Sequence, residues 1–329
     1  MVILGIETSC DETSAGIVRD GEILSNIILT QTAHSDYGGV VPEIASREHT
    51  RFIVPIVNKA LGEAQVDFGN IDAVAVTRGP GLIGCLLVGV SYARNLGLSL
   101  NIPVMGINHL EGHLATSLIN NGDKFPLLCL IASGGHTSLV VVNGFREYNI
   151  LGRTRDDAAG EAFDKVAKLL GISYPGGAKL DKLASEGNPD RYKFPSVKLK
   201  KGRWDFSFSG IKTAVSLKIK ELGNRDEIKA DIAAGFRKAA VAMLISRLRD
   251  AIECSRCRRF AVVGGVAQNS LLRSEAKLLS AECGIEYYFP PPNLCGDNGA
   301  MIALAGWLGI KHEVRNFEDF DAAPYLPLN

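Results

Sequence analysis

Two histidines four residues apart, His109 and His113, have the residue type and spacing needed to bind a metal ion. On a helix, residues at i and i+4 lie on one face, one turn apart, so both imidazoles can bind the same ion. Two imidazoles supply only part of a coordination shell, so a carboxylate must come from elsewhere. Asp297, in the run Gly-Asp-Asn-Gly, is the candidate. The pattern therefore predicts a site where distant parts of the chain meet.

A pair of surface or helix-capping histidines is the alternative interpretation of this spacing. The chain has only six His, and the pair directly follows the apolar residues 102–107, which read as a strand. Functional sites collect at the carboxyl ends of strands in α/β folds, which favours the metal site. The site is not of the H-E-x-x-H protease type, because Leu110 rather than Glu follows the first His.

Two short polar turns are candidates for holding an anion. Residues 7–14 and residues 133–138 each join two strand-like runs and are rich in small and hydroxyl side chains. Backbone N–H groups and hydroxyls in such turns can surround a phosphate. One such turn is usually a hairpin, but two of them, one in each half of the chain, predict duplicated domains that clasp a phosphate between them.

A third turn, residues 262–269, is rich in glycine, follows a strand-like run and opens a helix. Gly264 and Gly265 would let the backbone approach a flat ligand closely. Asn269 would then hydrogen-bond a ribose or a base. The pattern alone is weak, because many strand-to-helix turns carry two glycines.

Apolar β-rich runs alternate with helical periodicities, which predicts an α/β fold of two domains. The polar residues 120–124 mark the expected boundary, so that residues 1–123 with 297–329 form one domain and residues 124–296 the other. Strands are predicted at residues 2–6, 15–18, 23–29, 73–76, 104–107, 127–131, 138–142, 260–263 and 285–289. Helices are predicted at residues 42–61, 82–98, 160–170, 179–185, 211–220, 228–252, 271–283 and 298–308.

Composition narrows the function classes. The chain has 329 residues, long for one core, and is 46% hydrophobic, as in well-buried globular proteins. Its 36 basic and 36 acidic residues cancel, so bulk charge predicts no nucleic-acid affinity, and any such binding needs a local patch. No apolar run reads as a membrane-spanning helix and no signal peptide is recognised, so we expect a cytoplasmic protein with reduced cysteines.

The whole chain resembles one known family, the tRNA threonylcarbamoyladenosine transferases (TsaD family), formerly described as sialoglycoprotein endopeptidases. The motifs are specific when taken together, and their order matches that of the family. They are GIETSCDETS at 5–14, GGVVPEIASR at 38–47, TRGPG at 77–81, NHLEGH at 108–113, SGGHT at 133–137, GEAFDK at 160–165, YPGG at 174–177, FSFSG at 206–210 and CGDNGAM at 295–301.

The resemblance implies a duplicated fold of the actin/Hsp70/sugar-kinase (ASKHA) type, with the site in the cleft between the domains. It implies transfer of threonylcarbamoyl from threonylcarbamoyl-AMP to N6 of the adenosine 3′ of the anticodon, position 37, in tRNAs that read A-starting codons. The partners it implies are tRNA, a catalytically inactive paralogue (TsaB-like) as heterodimer partner and a small ATPase (TsaE-like), with no membrane.

The resemblance also implies roles for residues that match the family's motifs. His109, His113 and Asp297 become ligands of one divalent metal ion, with iron expected and zinc or magnesium as alternatives. The acyl-adenylate is expected to contact a loop and a group of residues around the adenylate. These substrate-binding residues are Ala132, Ser133, Gly134, Gly135, His136, Asp164, Gly177, Asp181 and Asn269.

The chemistry of an acyl-adenylate fits these residue types. Its phosphate is anionic and its carbonyl electrophilic, so a divalent metal can orient the one and polarise the other. The attacking exocyclic amine must lose a proton. Asp11 and Glu12, on the first polar turn, are the candidate catalytic residues, either as the base or only as groups that orient the turn by hydrogen bonding.

Basic clusters are the candidates for tRNA contact, although such runs are usually solvated faces. One contains Lys198, Lys200, Lys201 and Arg203, and the other contains Arg247, Arg249, Arg256, Arg258 and Arg259. Because the net charge is zero, we expect weak tRNA affinity for the chain alone, with helper proteins sharing the contact.

Two other functions are consistent with parts of the pattern. A metallopeptidase would need a general base beside the metal and a peptide cleft, and the missing H-E-x-x-H motif counts against it. A nucleotide-gated interaction protein would hydrolyse ATP slowly without transferring an acyl group to tRNA.

Overall fold

The computed structural model describes residues 1–34, 37–119, 124–195, 202–223, 225–312 and 319–328. The chain divides into two compact units. The first unit is Met1–Gly122 with Asp297–Asn329, and the second unit is Asp123–Gly296. The expected boundary at residues 120–124 lies largely outside the described residues. The predicted domain limits, 1–123 with 297–329 and 124–296, stay a prediction, as does the cleft.

The first unit is built on a five-stranded sheet in the order β3-β2-β1-β4-β5. β1 pairs antiparallel with β2 and parallel with β4, so the carboxyl ends of β1, β4 and β5 lie at one edge of the sheet. That edge receives the first polar turn, which joins β1 to β2. The strands are β1 (Val2–Glu7), β2 (Glu12–Arg19), β3 (Glu22–Thr30), β4 (Ala73–Gly79) and β5 (Val104–Asn108).

Helices cover this sheet because its strands are apolar on both faces. The run Val2–Glu7 is buried along its whole length, a pattern typical of a central strand covered on both sides. α1 and α2 pack against the sheet and each other, and α9 packs against β1 and β2. The helices of the first unit are α1 (Pro42–Ala64), α2 (Ile83–Leu100), α3 (His109–Leu118) and α9 (Gly299–Lys311).

Glycines let α9 approach the sheet very closely. A Cβ on Gly5 would overlap the carbonyl oxygen of Gly299, and a Cβ on Gly16 would overlap the backbone of Ala300. The hydroxyl of Ser14 accepts a hydrogen bond of 2.7 Å from the N–H of Gly299. These contacts fix the start of α9 beside the first polar turn, and so they place Asp297 at the same edge of the sheet.

The second unit repeats the topology of the first. Its sheet has the order β10-β9-β6-β7-β8, with β6 antiparallel to β7 and parallel to β9, as β1 is to β2 and β4. The predicted duplication is therefore confirmed. The strands are β6 (Leu127–Ala132), β7 (Thr137–Gly144), β8 (Glu147–Arg153), β9 (Arg259–Val263) and β10 (Glu286–Tyr288).

The core of the second unit is centred on α7, whose buried residues include Phe236, Leu244 and Leu248. β8 is the strand that the sequence patterns missed. Among the strands that the structure describes, it pairs with β7 alone, at the edge of the sheet, and its register shifts twice, so its side chains lack the regular alternation of a half-buried strand. The helices are α4 (Ala159–Leu169), α5 (Gly177–Ala184), α6 (Ser209–Leu222), α7 (Asp226–Cys254) and α8 (Ser270–Cys283).

One helix bears on the expectation that no segment spans a membrane. Among the described residues, α2 is long and apolar enough to cross a membrane by length and composition alone. This is weak evidence, because core helices of globular proteins pass the same test. α2 packs against β4 and α1 and buries Cys85, Leu86 and Val90, as a core helix does.

Candidate metal centre and substrate-binding residues

The predicted histidine pair lies on a buried helix at the carboxyl end of β5. α3 begins at His109, and the side chain of Asn108 caps it by accepting a hydrogen bond of 2.9 Å from the N–H of Leu110. His109 is 4% exposed and His113 is fully buried. A short helix with no exposed face is unusual unless its polar side chains have partners, which these histidines find in the first unit.

Asp297 completes the group. Its Oδ1 lies 3.1 Å from Nε2 of His113 and 3.5 Å from Nε2 of His109. One ligand atom from each of the three residues lies within 4.8 Å of the others. The structure thus brings together the three residues predicted as metal ligands, although Asp297 is more than 180 positions from either histidine.

The donor set fits a divalent metal. Ligand atoms around an ion bound at about 2.1 Å are roughly 3.4 Å apart in a tetrahedral shell, close to the separations of Asp297 from the histidines. Two imidazoles and one carboxylate suit iron or zinc better than magnesium, which prefers oxygen ligands. Three protein ligands leave positions open for substrate oxygens. The carboxylate rests on the start of α9, so the approach of that helix to β1 and β2 assembles the site.

Glu7 is a residue of this centre that the sequence analysis missed. It is fully buried at the end of β1, and its Oε2 lies 3.1 Å from Nδ1 of His109. Burial would raise the pKa of Glu7, but the charge and hydrogen bond of His109 outweigh it, so that the pKa lies below its usual range. A signal existed in the sequence, since one carboxylate ending an otherwise apolar strand is rarely left unpaired.

Neighbouring carboxylates also shift the pKa of His109. Burial would lower the pKa of His109, but the carboxylates of Asp297 and Glu7 raise it to about 9. This imidazole lies between two carboxylates, one on each side of its ring. A cation is favoured at this position, whether it is a proton or a metal ion.

Asp11 and Glu12 lie on the turn that enters the same edge of the sheet. Asp11 is buried, and the carboxyl groups of the two residues hydrogen-bond each other. Burial, followed by the charges of Asp11 and Asp297, raises the pKa of Glu12 well above its usual range. A raised pKa makes the ionised carboxylate a stronger proton acceptor, which is the property that a general base needs.

His49 supports this turn and was also missed. Its Nε2 lies 2.9 Å from the carbonyl oxygen of Cys10, and its Nδ1 lies 2.8 Å from Oγ1 of Thr13. It therefore ties α1 to the turn. The thiol of Cys10 is no nucleophile here, because burial and then the charges of Asp11 and Glu12 raise its pKa well above the usual range.

The second polar turn, in the second unit, is closed on itself. The N–H of Ser133 donates to the carbonyl oxygen of His136 at 2.8 Å, and the N–H of His136 donates to the hydroxyl of Ser133 at 3.2 Å. Gly134 and Gly135 lie at its tip, and a Cβ placed on either would meet no atom of the described residues within 4 Å. Their backbone is open to a flat or anionic ligand.

Two further predicted residues meet near this turn. Oδ1 of Asp164 accepts hydrogen bonds from the N–H groups of Gly176 and Gly177, at 2.8 and 2.9 Å. One turn earlier on α4, the N–H of Gly160 donates to the carbonyl oxygen of Ser133 at 3.0 Å. α4 therefore connects the second polar turn to the start of α5.

Asp181 and Asn269 form the other pair. Oδ1 of Asp181 accepts a 2.7 Å hydrogen bond from Nδ2 of Asn269, whose Oδ1 caps α8 by accepting from the N–H of Leu272. Arg237, which the sequence analysis missed because it lies inside the long helix α7, donates to the same Oδ1 of Asp181 at 3.0 Å. The expected hydrogen bond of Asn269 to a ribose or base must therefore share a side chain that already holds α5 to α8.

The glycine-rich turn before α8 joins this group. Gly264 has a φ of 92°, and a Cβ there would overlap the carbonyl of Ala132, which explains why glycine is needed. The nine residues predicted to bind substrate therefore lie on connected elements of the second unit: the end of β6 with its turn, α4, α5 and the turn before α8. Their roles as substrate ligands stay a prediction.

The two basic clusters differ in how much of each the structure describes and in what their arginines contact. Lys198, Lys200 and Lys201 lie outside the described residues, while Arg203 stacks over the ring of Trp204. In the second cluster, Arg249 pairs with Glu282 and Arg259 lies near Glu286. Arg247 is buried and donates to the carbonyl oxygen of Asp205. These three arginines make contacts within the protein, which weakens the case for the second cluster as an RNA-binding surface.

Comparison with known proteins identifies full-length relatives. Residues 22–304 match the model of a family described as tRNA N6-adenosine threonylcarbamoyltransferase. A protein of that name from Thermodesulfovibrio yellowstonii is 49% identical, with 100% of each chain covered. Another from Trichlorobacter lovleyi is 50% identical, covering 100% of this chain and 97% of the relative.

Solved structures with low identity share the fold. Full-length HypF, in a phosphate- and nucleotide-bound form, aligns with a TM-score of 0.63 at 15% identity, over 97% of this chain and 56% of that one. Component A of (R)-2-hydroxyglutaryl-CoA dehydratase from Acidaminococcus fermentans aligns with a TM-score of 0.57 at 17% identity, over 96% of this chain and all of that one. The predicted actin/Hsp70/sugar-kinase type of α/β fold is confirmed.

Proposed function

Because the chain belongs to the tRNA N6-adenosine threonylcarbamoyltransferase family, we propose that it takes the threonylcarbamoyl group from threonylcarbamoyl-AMP. The acceptor is N6 of the adenosine 3′ of the anticodon in tRNAs that read A-starting codons, and AMP is released. The observation that carries the proposal is the meeting of His109, His113 and Asp297 in a buried centre.

His109, His113 and Asp297 would hold one divalent metal ion, iron by preference given two imidazole ligands, with zinc next and magnesium least suited. Such an ion supplies Lewis-acid stabilisation of negative charge on phosphate and carbonyl oxygens. The carboxylate of Asp297 completes the site from the start of α9. Because the centre is buried, bulk water is largely kept from the reactive carbonyl, which limits hydrolysis of the donor.

The turn of Ser133 to His136 and the residues connected to it are proposed to bind the acyl-adenylate. The exposed glycines at its tip offer backbone N–H groups to an anion. Asp164 holds the backbone N–H of Gly177, and Asp181 holds the side chain of Asn269, so both acids would act by keeping ligand-binding groups in place. Holding donor and acceptor in position can lower the barrier by on the order of 7–11 kcal/mol.

Glu12 is proposed as the general base and Asp11 as its hydrogen-bond partner. The exocyclic amine is a weak nucleophile and must lose a proton as it attacks the carbonyl. The raised pKa of Glu12, caused by burial and then by the charge of Asp11, supports this role because it makes the carboxylate a stronger proton acceptor. The alternative, in which both acids only orient the turn, predicts different kinetics and is tested below.

Partners are expected beside tRNA. We propose an inactive paralogue (TsaB-like) as heterodimer partner and a small ATPase (TsaE-like) that resets the complex. Helices α1 and α2 carry partly exposed apolar side chains, Val54, Ile83 and Leu87, which a partner helix would cover. We propose that the protein works in the cytoplasm, where its tRNA substrate is found.

The other enzyme hypothesis, a metallopeptidase, gains no support, because the relatives are named transferases. A nucleotide-gated interaction protein is the remaining contrast. That protein would hydrolyse ATP slowly and leave tRNA unmodified.

The test of the function is reconstitution. Purified chain, threonylcarbamoyl-AMP, an A-starting-codon tRNA and the two helpers should yield threonylcarbamoyladenosine, detected by mass spectrometry of digested tRNA. We expect multiple turnovers only with both helpers, and at most one turnover by the chain alone. ATP hydrolysis without modified adenosine would support the interaction protein instead, and multiple turnovers by the chain alone would refute the helper requirement.

The tRNA-binding surface is predicted to include the first basic cluster. Reversing Lys200, Lys201 and Arg203 to Glu should weaken tRNA binding and lower the slope of log affinity against log salt by about one for each phosphate that is no longer neutralised. Acyl-adenylate affinity should stay unchanged. Labelled tRNA is titrated at several salt concentrations, with an equal charge reversal at the exposed Arg19, Lys220 and Lys277 as the matched control. Equal affinities and slopes for the two triple variants would place the RNA surface elsewhere.

A further inference from the structure

We propose that Glu7 is a positioning residue of the metal centre: it holds His109 in the orientation and tautomer that bind a metal ion, and so couples the metal to the first polar turn. The inference rests on the metal site in the proposed function. It goes further by assigning a role to a residue outside the ligand set.

Three donors converge on the Glu7 carboxylate. Its Oε1 accepts a hydrogen bond of 2.6 Å from the N–H of Ser9. Its Oε2 accepts one of 2.5 Å from the hydroxyl of Thr77 and lies 3.1 Å from Nδ1 of His109. An ionised carboxylate accepts at both oxygens, so it can satisfy all three neighbours at once.

The protonation of His109 follows from these partners. An ionised carboxylate offers no proton, so Nδ1 of His109 must carry the hydrogen that faces Glu7. In the neutral ring, the lone pair then lies on Nε2, the nitrogen 3.5 Å from Oδ1 of Asp297. Glu7 therefore directs the metal-binding nitrogen of His109 toward the carboxylate ligand on the other side of the ring. A metal-bound histidine commonly has such a carboxylate behind it.

The two histidine ligands differ in this respect. Nδ1 of His113 is buried and has no hydrogen-bond partner among the described residues. The ring of His113 is therefore held from behind by packing alone, whereas His109, the first residue of α3, has an additional anchor in Glu7. Loss of the Glu7 carboxylate should therefore weaken metal binding mainly through its effect on His109.

Glu7 also connects the metal centre to the first polar turn. Ser9, whose N–H binds Glu7, places its hydroxyl 3.3 Å from Nδ1 of His109. Asp11 and Glu12 follow Ser9 in the same turn. One buried carboxylate therefore orients both a metal ligand and the start of the turn that carries the proposed base.

The test is metal titration of the full-length chain carrying Glu7→Gln. The amide keeps the shape of Glu7 but must turn its NH2 group toward at least one of the three donors, so a hydrogen bond is lost. We expect the Kd for Zn²⁺, measured by competition with a chromophoric chelator, to rise about 10- to 100-fold. The visible absorption of bound Co²⁺ should also shift, because the ring of His109 is no longer held. At saturating metal, the kcat of the variant should return close to the wild-type value. The metal concentration needed for half-maximal activity should stay raised.

Glu12→Gln is the matched control. It removes another carboxyl group from the same turn region, but the carboxyl group of Glu12 hydrogen-bonds Asp11 instead of supporting His109. Its Kd for Zn²⁺ should change less than about threefold, because Glu12 does not hold a metal ligand in place. Equal weakening by Glu7→Gln and Glu12→Gln would overturn the proposal, because the loss would then not depend on the contact of Glu7 with His109.

Thr77→Val keeps the test decisive if Glu7→Gln does not fold, as circular dichroism would reveal. This variant removes one hydrogen bond to Oε2 of Glu7 and leaves the carboxylate in place. We expect a smaller rise in the Zn²⁺ Kd, about threefold, with a Co²⁺ spectral shift. An unchanged Kd and spectrum would refute the role of Glu7. If the wild-type chain binds neither metal, the proposed metal site itself is wrong. If the wild-type chain binds metal and Glu7→Gln binds it equally well, only the role of Glu7 is wrong.

Discussion

Asp297→Ala and His109→Ala are each expected to abolish stoichiometric metal binding and to lower transfer to tRNA by at least about 100-fold. Each change deletes one of three ligand atoms that converge within 4.8 Å, and the remaining pair cannot close a coordination shell. Metal content is measured by elemental analysis after dialysis, and transfer by mass spectrometry of the reconstituted reaction.

Asp297→Ala is the less perturbing of the two changes. His109→Ala also leaves Glu7 buried without its cationic partner, which costs about 3–5 kcal/mol when a buried pair is broken. The thermal unfolding temperature is therefore measured for each variant alongside its metal content and activity. His312→Ala, at the end of α9, is the control that removes a histidine outside the centre. Retention of stoichiometric metal and full turnover by the two ligand variants would show that the assignment is wrong.

Glu12→Gln is expected to lower kcat by about 10²- to 10⁴-fold, the range for loss of a general base. A base works only when deprotonated. Because burial and then Asp11 raise the pKa of Glu12 well above its usual range, wild-type kcat should be low at acidic pH and should rise as pH passes through that raised pKa. Glu12→Gln should remove this limb of the profile.

The pH profile separates the two roles considered for Asp11 and Glu12. If both acids only orient the turn, Glu12→Gln keeps their shape and most of the wild-type kcat, and the acidic limb persists. Asp11→Asn is the companion variant, since it removes the partner charge that helps to raise the pKa of Glu12. With Asn at this position the limb should move to lower pH, because the ionised form of Glu12 is no longer opposed by a neighbouring charge.

Local patterns carried much of the fold. The apolar runs located nearly every strand, and the similarity of the two polar turns predicted the duplication that the two sheets display. These features depend on neighbours close in sequence, whose periodicity records which face is buried. β8 escaped because an edge strand with register shifts has only one partner and a weak alternation.

The site was accessible to sequence reasoning only in part. The i, i+4 spacing of His109 and His113 reports on one helix face, so it can be recognised without a structure. Asp297 was a candidate by residue type, but its distance from the histidines depends on glycines that admit α9 against β1 and β2. Nine residues were predicted from motifs to bind substrate, and the structure adds that they lie on connected elements of the second unit.

Only the tertiary structure decided which polar groups face one another. Glu7 reads as one acid at the end of a strand, and its role depends on His109, 102 positions away. Arg237 is one basic residue within a long helix until Asp181 meets it across 56 positions. Residue types, helical spacing and strand alternation are local properties and can be taken from the sequence. Burial, hydrogen-bond partners and shifted pKa values arise when distant segments exclude water together, so they belong to the folded chain alone.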